Sequence, residues 1–330
     1  MRIVAPAGGI GAARFLRGLL AHLAQAGVES QVTVIGNTAD DITLSGLHVS
    51  PDLDTVMYTL GGGIHPVQGW GRADETRNVQ AELTAYGAGT EWFALGDRDI
   101  ATHLVRTELL AAGATLSEAT AALCARWQPG VRLLPMSDDP IATQVTIADA
   151  TAPGGVRVLH FQEYWVRLGA PPALAVTVAG ADKSSPAPGV LEAVAEADVI
   201  LLPPSNPVVS IGAVLAVPGI REAVRQNRNA PVVGLSPIVG GAPVRGMADR
   251  MLTAIGVETS AEAVGLHYGA RRHGGLLDGW LVDSVDAAAV PGLEAAGIAT
   301  RAVPLLMRDV AHSAAMAAAA LDLATEIAAR

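Results

Sequence analysis

The sequence predicts an α/β fold: a doubly wound, mainly parallel sheet with a smaller α/β lobe inserted. Three observations predict it. Strand-length apolar runs alternate with helical patterns through most of the 330 residues, as expected of parallel strands joined by crossover helices. The first run, Ile3–Ala5, passes through Gly8, Gly9 and Gly11 into a helical pattern at Phe15, Leu16, Leu19 and Leu20. Residues 131–180 break the alternation with strand-like runs that follow one another without helices. They are read as part of the inserted lobe, and residues 1–130 and 181–330 as the core.

Taken in order, strands are expected at Ile3–Ala5, Val32–Ile35 and Val131–Leu134, all short and rich in β-branched or apolar residues. Thr143–Ile147, Val156–Phe161 and Ala173–Val178 follow as hairpin or edge strands. Val199–Leu202, Val232–Leu235, Leu276–Val282 and Ala302–Leu305 complete the sheet. Apolar residues at helical spacing predict helices at Ala13–Leu23, Thr76–Tyr86, Ala101–Ala112 and Ser117–Trp127, the last with Ser117 as its N-cap. Further helices are expected at Gly189–Ala195, Ile220–Gln226, Met247–Ile255 and Ala261–Tyr268. The alanine-rich C-terminal run carries His312, Asp322 and Glu326, so it reads as a docked helix and not a membrane span.

Composition narrows the function. Half of the residues are hydrophobic but only 4% are aromatic, so Val, Leu and Ile must fill the core. The net charge of −10 argues against nucleic acid as a partner. An acidic protein that binds an anion needs local donors or a metal. Cys124 stands alone, which excludes an internal disulfide and a cysteine zinc cluster. No basic segment followed by an apolar one opens the chain, so a cytoplasmic location is expected. Lys183 is the sole lysine among 22 basic residues, a bias that leaves arginine with little functional weight by default.

Gly8, Gly9 and Gly11 permit unusual backbone angles and close approach, and the helix after them would aim amides at an anion. No Gly-Lys-Ser/Thr is present, so this is not a Walker A loop. Arg14 replaces the third glycine of a dinucleotide fingerprint, and Asn37 stands where the ribose-binding acid would be, which weighs against a nicotinamide-dependent oxidoreductase. A plain strand-to-helix turn is the bland alternative.

"GNTADD" and "SPDLDT" place Asp40, Asp41, Asp52 and Asp54 past the second strand, at the edge where open α/β sheets bind ligands. Carboxylates beside a phosphate cradle suit Mg²⁺. Asp52 and Asp41 are equally well explained as a helix cap and a turn residue. "LGDRDIATH" sets Arg98 between Asp97 and Asp99, with Asp99 a good N-cap and His103 nearby. In "HFQEYWV", strand alternation would put His160, Gln162 and Tyr164 on one face. "LLPPSNPVVSIG" ends a strand at Pro203-Pro204 and presents Ser205 and Asn206, which suit either a ligand or a simple turn.

Together, "PAGGIGAARFL", "NTADD", "SPDLDTVMYTLGGG", "WFALGDRDIATHLVRT", "LPMSDDP", "HFQEYWV", "PSNPVVSIGAVLAVPGI" and "SPIVGGAPVRGMAD" resemble the 2-phospho-L-lactate transferase family of coenzyme F-420 biosynthesis. "CARWQPG" and "HLVRT" resemble its actinobacterial, phosphoenolpyruvate-using branch. The resemblance implies transfer of an acid-bearing phosphoryl group from an enolpyruvyl- or lactyl-diphosphoguanosine donor to the ribityl 5′-hydroxyl of the deazaflavin FO, with release of GMP. It implies a Rossmann-like fold with an inserted lobe, Mg²⁺ and a homodimer. Carried across, Asp40 and Asp54 would hold Mg²⁺ and orient the hydroxyl. Asp54 and Arg98 would line the FO site, while Gly8, Gly9, Gly11, Ser205 and Asn206 would face the guanosine diphosphate. A nucleotide-binding regulator of related fold is the alternative, and "DLDTVMYTLGGG" and "HFQEYW" weigh against it.

Overall fold

A computed structural model describes residues 1–330. Strand β1 (Arg2–Ala7) enters helix α1 (Gly9–Gln25), followed by β2 (Gln31–Gly36), the short hairpin β3 (Ile42–Leu44) and β4 (Leu47–Val49), and α2 (Pro51–Leu60). Helices α3 (Asn78–Ala85), α4 (Asp97–Ala111) and α5 (Leu116–Trp127) lead to β5 (Arg132–Pro135). The lobe strands are β6 (Ala142–Ala148), β7 (Val156–His160) and β8 (Ala173–Ala179). Then come α6 (Val190–Glu196), β9 (Val199–Leu202), α7 (Ile211–Ala216), α8 (Ile220–Gln226) and β10 (Val232–Leu235). A small hairpin, β11 (Ile238–Val239) and β12 (Ala242–Pro243), precedes α9 (Ala248–Ala254), α10 (Ala261–Tyr268) and β13 (Gly279–Val282). The chain closes with α11 (Val290–Ala295), β14 (Ala299–Ala302) and α12 (Val310–Ala328). No helix is long and apolar enough to cross a membrane.

The seven-stranded sheet has the order β14-β13-β10-β9-β1-β2-β5 and every pair is parallel. Strand order therefore reverses between β1 and β9. Ligands of such sheets lie at the carboxyl ends of the strands at that reversal, and here those ends carry the glycine loop and the Pro203–Asn206 segment. Each face of the sheet has its own core. One gathers Phe15, Leu16, Val34, Val56 and Met316 from α1, α2 and α12 with the sheet. The other gathers Ile200, Val214, Val232, Val264 and the fully buried Trp280. The alanine-rich α12 docks along α1: a Cβ on Gly18 would lie 2.3 Å from the Cβ of Ser313, so the two helices meet closely there.

The structure moves several expected boundaries. Strand β5 pairs with β2 at the edge of the main sheet, so the antiparallel lobe, of order β7-β6-β8, begins after it. The last strand lies at Ala299–Ala302, ahead of the expected Ala302–Leu305, and β13 begins at Gly279. Ser117 is not the N-cap of α5: Thr115 is, in a capping box with Glu118, and Ser117 gives its N–H and hydroxyl to Asp138. Asp99 lies inside α4, whose N-cap is Gly96. The expected alternation in "HFQEYWV" fails too. Strand β7 ends at His160 and the chain turns helical through Arg167. Helical spacing lets Phe161 and Tyr164 share one buried face in the lobe core, where a strand would have separated them.

Candidate active site

Helix α2 starts at Pro51, after Ser50, which sets Asp52 and Asp54 in its first turn. Both are buried, Asp52 at 8% and Asp54 at 4% exposure. Asp52 points at the glycine loop. Its Oδ1 accepts the Gly9 N–H at 2.8 Å and its Oδ2 accepts from Asn37 Nδ2 at 2.8 Å. The amide expected to receive a phosphate at Gly9 is thus held by a carboxylate of the chain itself. Asn37, at the end of β2, also donates to the Val209 carbonyl at 3.3 Å and accepts the Ala39 N–H at 3.0 Å. One fully buried amide ties the aspartate turn, the glycine loop and the segment after Asn206 together.

The glycines serve this packing. A Cβ on Gly8 would meet Ser210 at 2.6 Å and Asp52 at 2.7 Å. A Cβ on Gly11 would lie 2.3 Å from the Pro204 carbonyl oxygen. Gly9 takes φ +68°, which favours glycine. Ser205 donates its hydroxyl to the Gly8 carbonyl at 2.9 Å, so its proton braces the loop. Asn206 accepts the Val208 and Val209 N–H groups through Oδ1, at 3.0 and 3.3 Å, leaving its Nδ2 free to donate.

Asp40 is 4% exposed and lies in the turn that follows β2. Its Oδ1 is buried with no partner, as are Asp41 Oδ1 and the hydroxyls of Thr38 and Thr143. Burial pushes the Asp40 carboxyl well above the usual range, and the Asp52 charge adds to this. Burial likewise pushes Asp52 up to about 6. The lobe braces this turn from the other side: His160 Nε2 is 3.0 Å from the Asp41 carbonyl, and Gln162 donates to the Asp40 carbonyl at 3.4 Å.

Asp54 faces α4 and has a different environment. Arg106, 1% exposed, donates to it from both guanidinium ends, Nη1 to Oδ2 at 3.1 Å and Nη2 to Oδ1 at close range. His103 lies between, with Nδ1 3.6 Å from Asp54 and Nε2 3.4 Å from Asp99. Asp99 accepts the Tyr58 hydroxyl at 2.7 Å. Asp99, His103 and Arg106 share one face of α4, and Asp54 and Tyr58 one face of α2, by their three- and four-residue spacings. Arg106 escaped the sequence reading, although its place one turn past His103 was a usable signal.

Arg98 is exposed at the start of α4. Neither neighbouring acid holds it. Asp97 accepts from Thr76, Asn78 and Val79, and Asp99 from Tyr58. Glu75 fixes the backbone instead, accepting the Arg98 and Asp99 N–H groups at 2.8 Å each. Beside it opens a polar cleft of about 370 Å³ whose lining includes Trp70, Arg72, Glu75, Arg77 and Asp99. Through Asp99 and His103 the cleft adjoins Asp54.

Mg²⁺ fits part of this arrangement. Asp40 offers a hard oxygen that is buried and unpartnered, with the Thr143 hydroxyl near its carboxyl, a situation native interiors resolve with an ion or water. Both oxygens of Asp54 are already held by Arg106. No group of three or more His, Cys, Asp or Glu side chains converges as a metal cage, and an ion shared with a phosphate needs none.

Residues 3–297 match the family described as 2-phospho-L-lactate transferase CofD. The chain belongs to this family. It is 66% identical to a phosphoenolpyruvate transferase of Kitasatospora aureofaciens, across 99% of both chains. It is 52% identical to a phosphoenolpyruvate transferase of Mycolicibacterium smegmatis, across 98% of this chain and 99% of that one. Among solved structures, a Bacillus halodurans protein described as a UPF0052 family member, BH3568, superposes with TM-score 0.63 at 20% identity, over 97% and 98% of the two chains. That likeness shows the fold. CofD membership makes the chain a transferase of coenzyme F-420 biosynthesis.

Proposed function

We propose that this CofD-family enzyme transfers a phosphoenolpyruvyl group from an enolpyruvyl-diphosphoguanosine donor to the ribityl 5′-hydroxyl of FO. The acceptor oxygen attacks the phosphorus that bears the enolpyruvyl group. A new P–O bond forms, the bond from that phosphorus to the oxygen of GMP breaks, and GMP leaves with the electron pair. The hydroxyl proton passes to an aspartate of the cluster. Such transfers depend on positioning and charge neutralisation more than on covalent catalysis, which matches a site rich in fixed carboxylates and without a nucleophile triad.

The observation that carries the reading is Asp40, buried with a free oxygen in a turn tied to the glycine loop through Asn37 and Asp52. Asp40 would hold Mg²⁺, with Asp54 joining it when donor is bound. When bound, the ion supplies charge neutralisation to the phosphate oxygens. Asp54, braced by Arg106, faces the acceptor side, and the cleft beside Arg98 takes FO. Asn206 reads the guanosine portion through its free Nδ2. The relatives' names favour the enolpyruvyl over the lactyl donor. A cytoplasmic homodimer completes the reading.

The test is to mix the enzyme with FO, the enolpyruvyl donor and Mg²⁺ and follow GMP by chromatography. FO-dependent release of GMP is expected. Release that is indifferent to FO, or no release, overturns the proposal.

A further inference from the structure

Two arginines outside the aspartate cluster face each other across one glycine. Arg14 lies on α1, one turn beyond Ile10 and on the same face. Arg245 follows the β11–β12 hairpin, whose Gly240-Gly241 turn takes φ +59° and +78°, the left-handed pair a tight hairpin needs. Both converge on Gly69. A Cβ there would lie 3.5 Å from Arg14 Nη2, 3.6 Å from Arg245 Nη1 and 3.1 Å from the Ile10 side chain. The guanidinium nitrogens are therefore within ~7 Å of each other, with Arg245 exposed and Arg14 half-buried, and an anion between them would relieve the repulsion of like charges. Neither arginine forms an ion pair. Arg245 is held by one bond, donated to the Gln68 carbonyl. Its loop is wedged on the other side by Trp165 of the lobe, 3.0 Å from a Cβ on Gly246.

An acidic chain that keeps two cations together and unpaired beside its glycine loop has a use for them. The Gly9 amide is taken by Asp52, so an anion at the start of α1 meets a carboxylate and one donor fewer. Cations further along the helix add charge compensation there.

We propose that Arg14 and Arg245 form a two-sided clamp on the diphosphate of the donor, closing over the first turn of α1. The clamp rests on the reading of the donor as a guanosine diphosphate conjugate. Guanidinium forks match phosphate oxygens in pairs, and two of them suit two linked phosphates. Gly69 is the spacer: it leaves open the gap that a side chain would enter.

The test is titration calorimetry of the full chain and of the variants Arg14→Gln and Arg245→Gln with inorganic pyrophosphate, GDP and guanosine. Each variant should bind pyrophosphate and GDP at least tenfold more weakly and bind guanosine as the parent does. Melting curves show whether each variant is folded, and Arg14→Lys, which keeps the charge, should recover part of the pyrophosphate affinity. Unchanged pyrophosphate affinity in both variants overturns the clamp, as does a parent protein that does not bind pyrophosphate. Pyrophosphate binding that depends on both arginines without any binding of GDP keeps the clamp and overturns the guanosine donor. For the reacting enzyme, KM for the donor should rise tenfold or more in each variant while KM for FO holds.

Discussion

Arg106 and Asp54 form a buried two-point ion pair between α4 and α2, with both guanidinium ends on both carboxylate oxygens. At 1% and 4% exposure, neither charge has water to fall back on. Removing one partner of such a pair leaves an uncompensated buried charge, which costs about 3–5 kcal/mol. Arg106→Met should therefore lower the unfolding free energy by roughly that amount in urea titrations. A loss below about 1 kcal/mol would mean that the pair is solvated in solution.

Asp40 has the opposite situation, a free oxygen awaiting a partner. Asp40→Asn keeps the shape and removes the charge. Turnover should fall by on the order of 10²-fold or more at saturating substrates, with the Mg²⁺ requirement shifted to higher concentration and the melting temperature retained. Near-parent turnover at limiting Mg²⁺ would remove Asp40 from the site.

Asn206 does two things, and two substitutions separate them. Its Oδ1 holds the Val208 and Val209 amides, and its Nδ2 is free. Asn206→Asp keeps the turn acceptor and loses the donor. Its donor KM should rise by a factor equivalent to about 1–3 kcal/mol while KM for FO is unchanged. Asn206→Ala should lose stability as well. If only the alanine variant has a phenotype, Asn206 is a turn residue.

The parallel sheet was legible because its strands are short apolar runs between helices, and the glycine loop because three glycines follow the first of them. What stayed hidden was set by tertiary contact. No local pattern says that Asp52 caps Gly9 across 43 residues, or that Ser205 spends its hydroxyl on Gly8. Arg98 lies between two acids in sequence, yet Asp97 and Asp99 turn to other partners. Phe161 to Val166 read as strand-like because aromatic and β-branched residues favour strands, while the shared burial of Phe161 and Tyr164 selects the helix.

Asp52 sets a pH dependence. Its native pKa, pushed up to about 6 by burial, lies above the unfolded value, so the native state binds the proton more tightly. Its contribution favours folding at low pH and is lost as pH rises from about 4 to beyond 6. Asp40, raised for the same reason, acts in the same direction. Asp97, held down near 2 first by the Thr76 hydroxyl, acts in the opposite sense and only at lower pH. In metal-free buffer, Asp52→Asn should flatten the fall in stability between about pH 4 and 7 by a few kcal/mol relative to the parent. Parallel curves for the two proteins would show that Asp52 is not the group responsible.

Transfer of a phosphoenolpyruvyl group to FO leaves a product of defined mass. The most direct measurement is mass spectrometry of the FO-derived product formed with Mg²⁺ and equal amounts of the enolpyruvyl and lactyl donors. The donors differ by two hydrogens and the shape at one carbon, which pocket shape separates by only about 1–3 kcal/mol. The dehydro product is expected as the main species, with some of its lactyl counterpart. Unmodified FO beside consumed donor would contradict the transfer itself, and a main product heavier by two hydrogens would contradict the choice of donor.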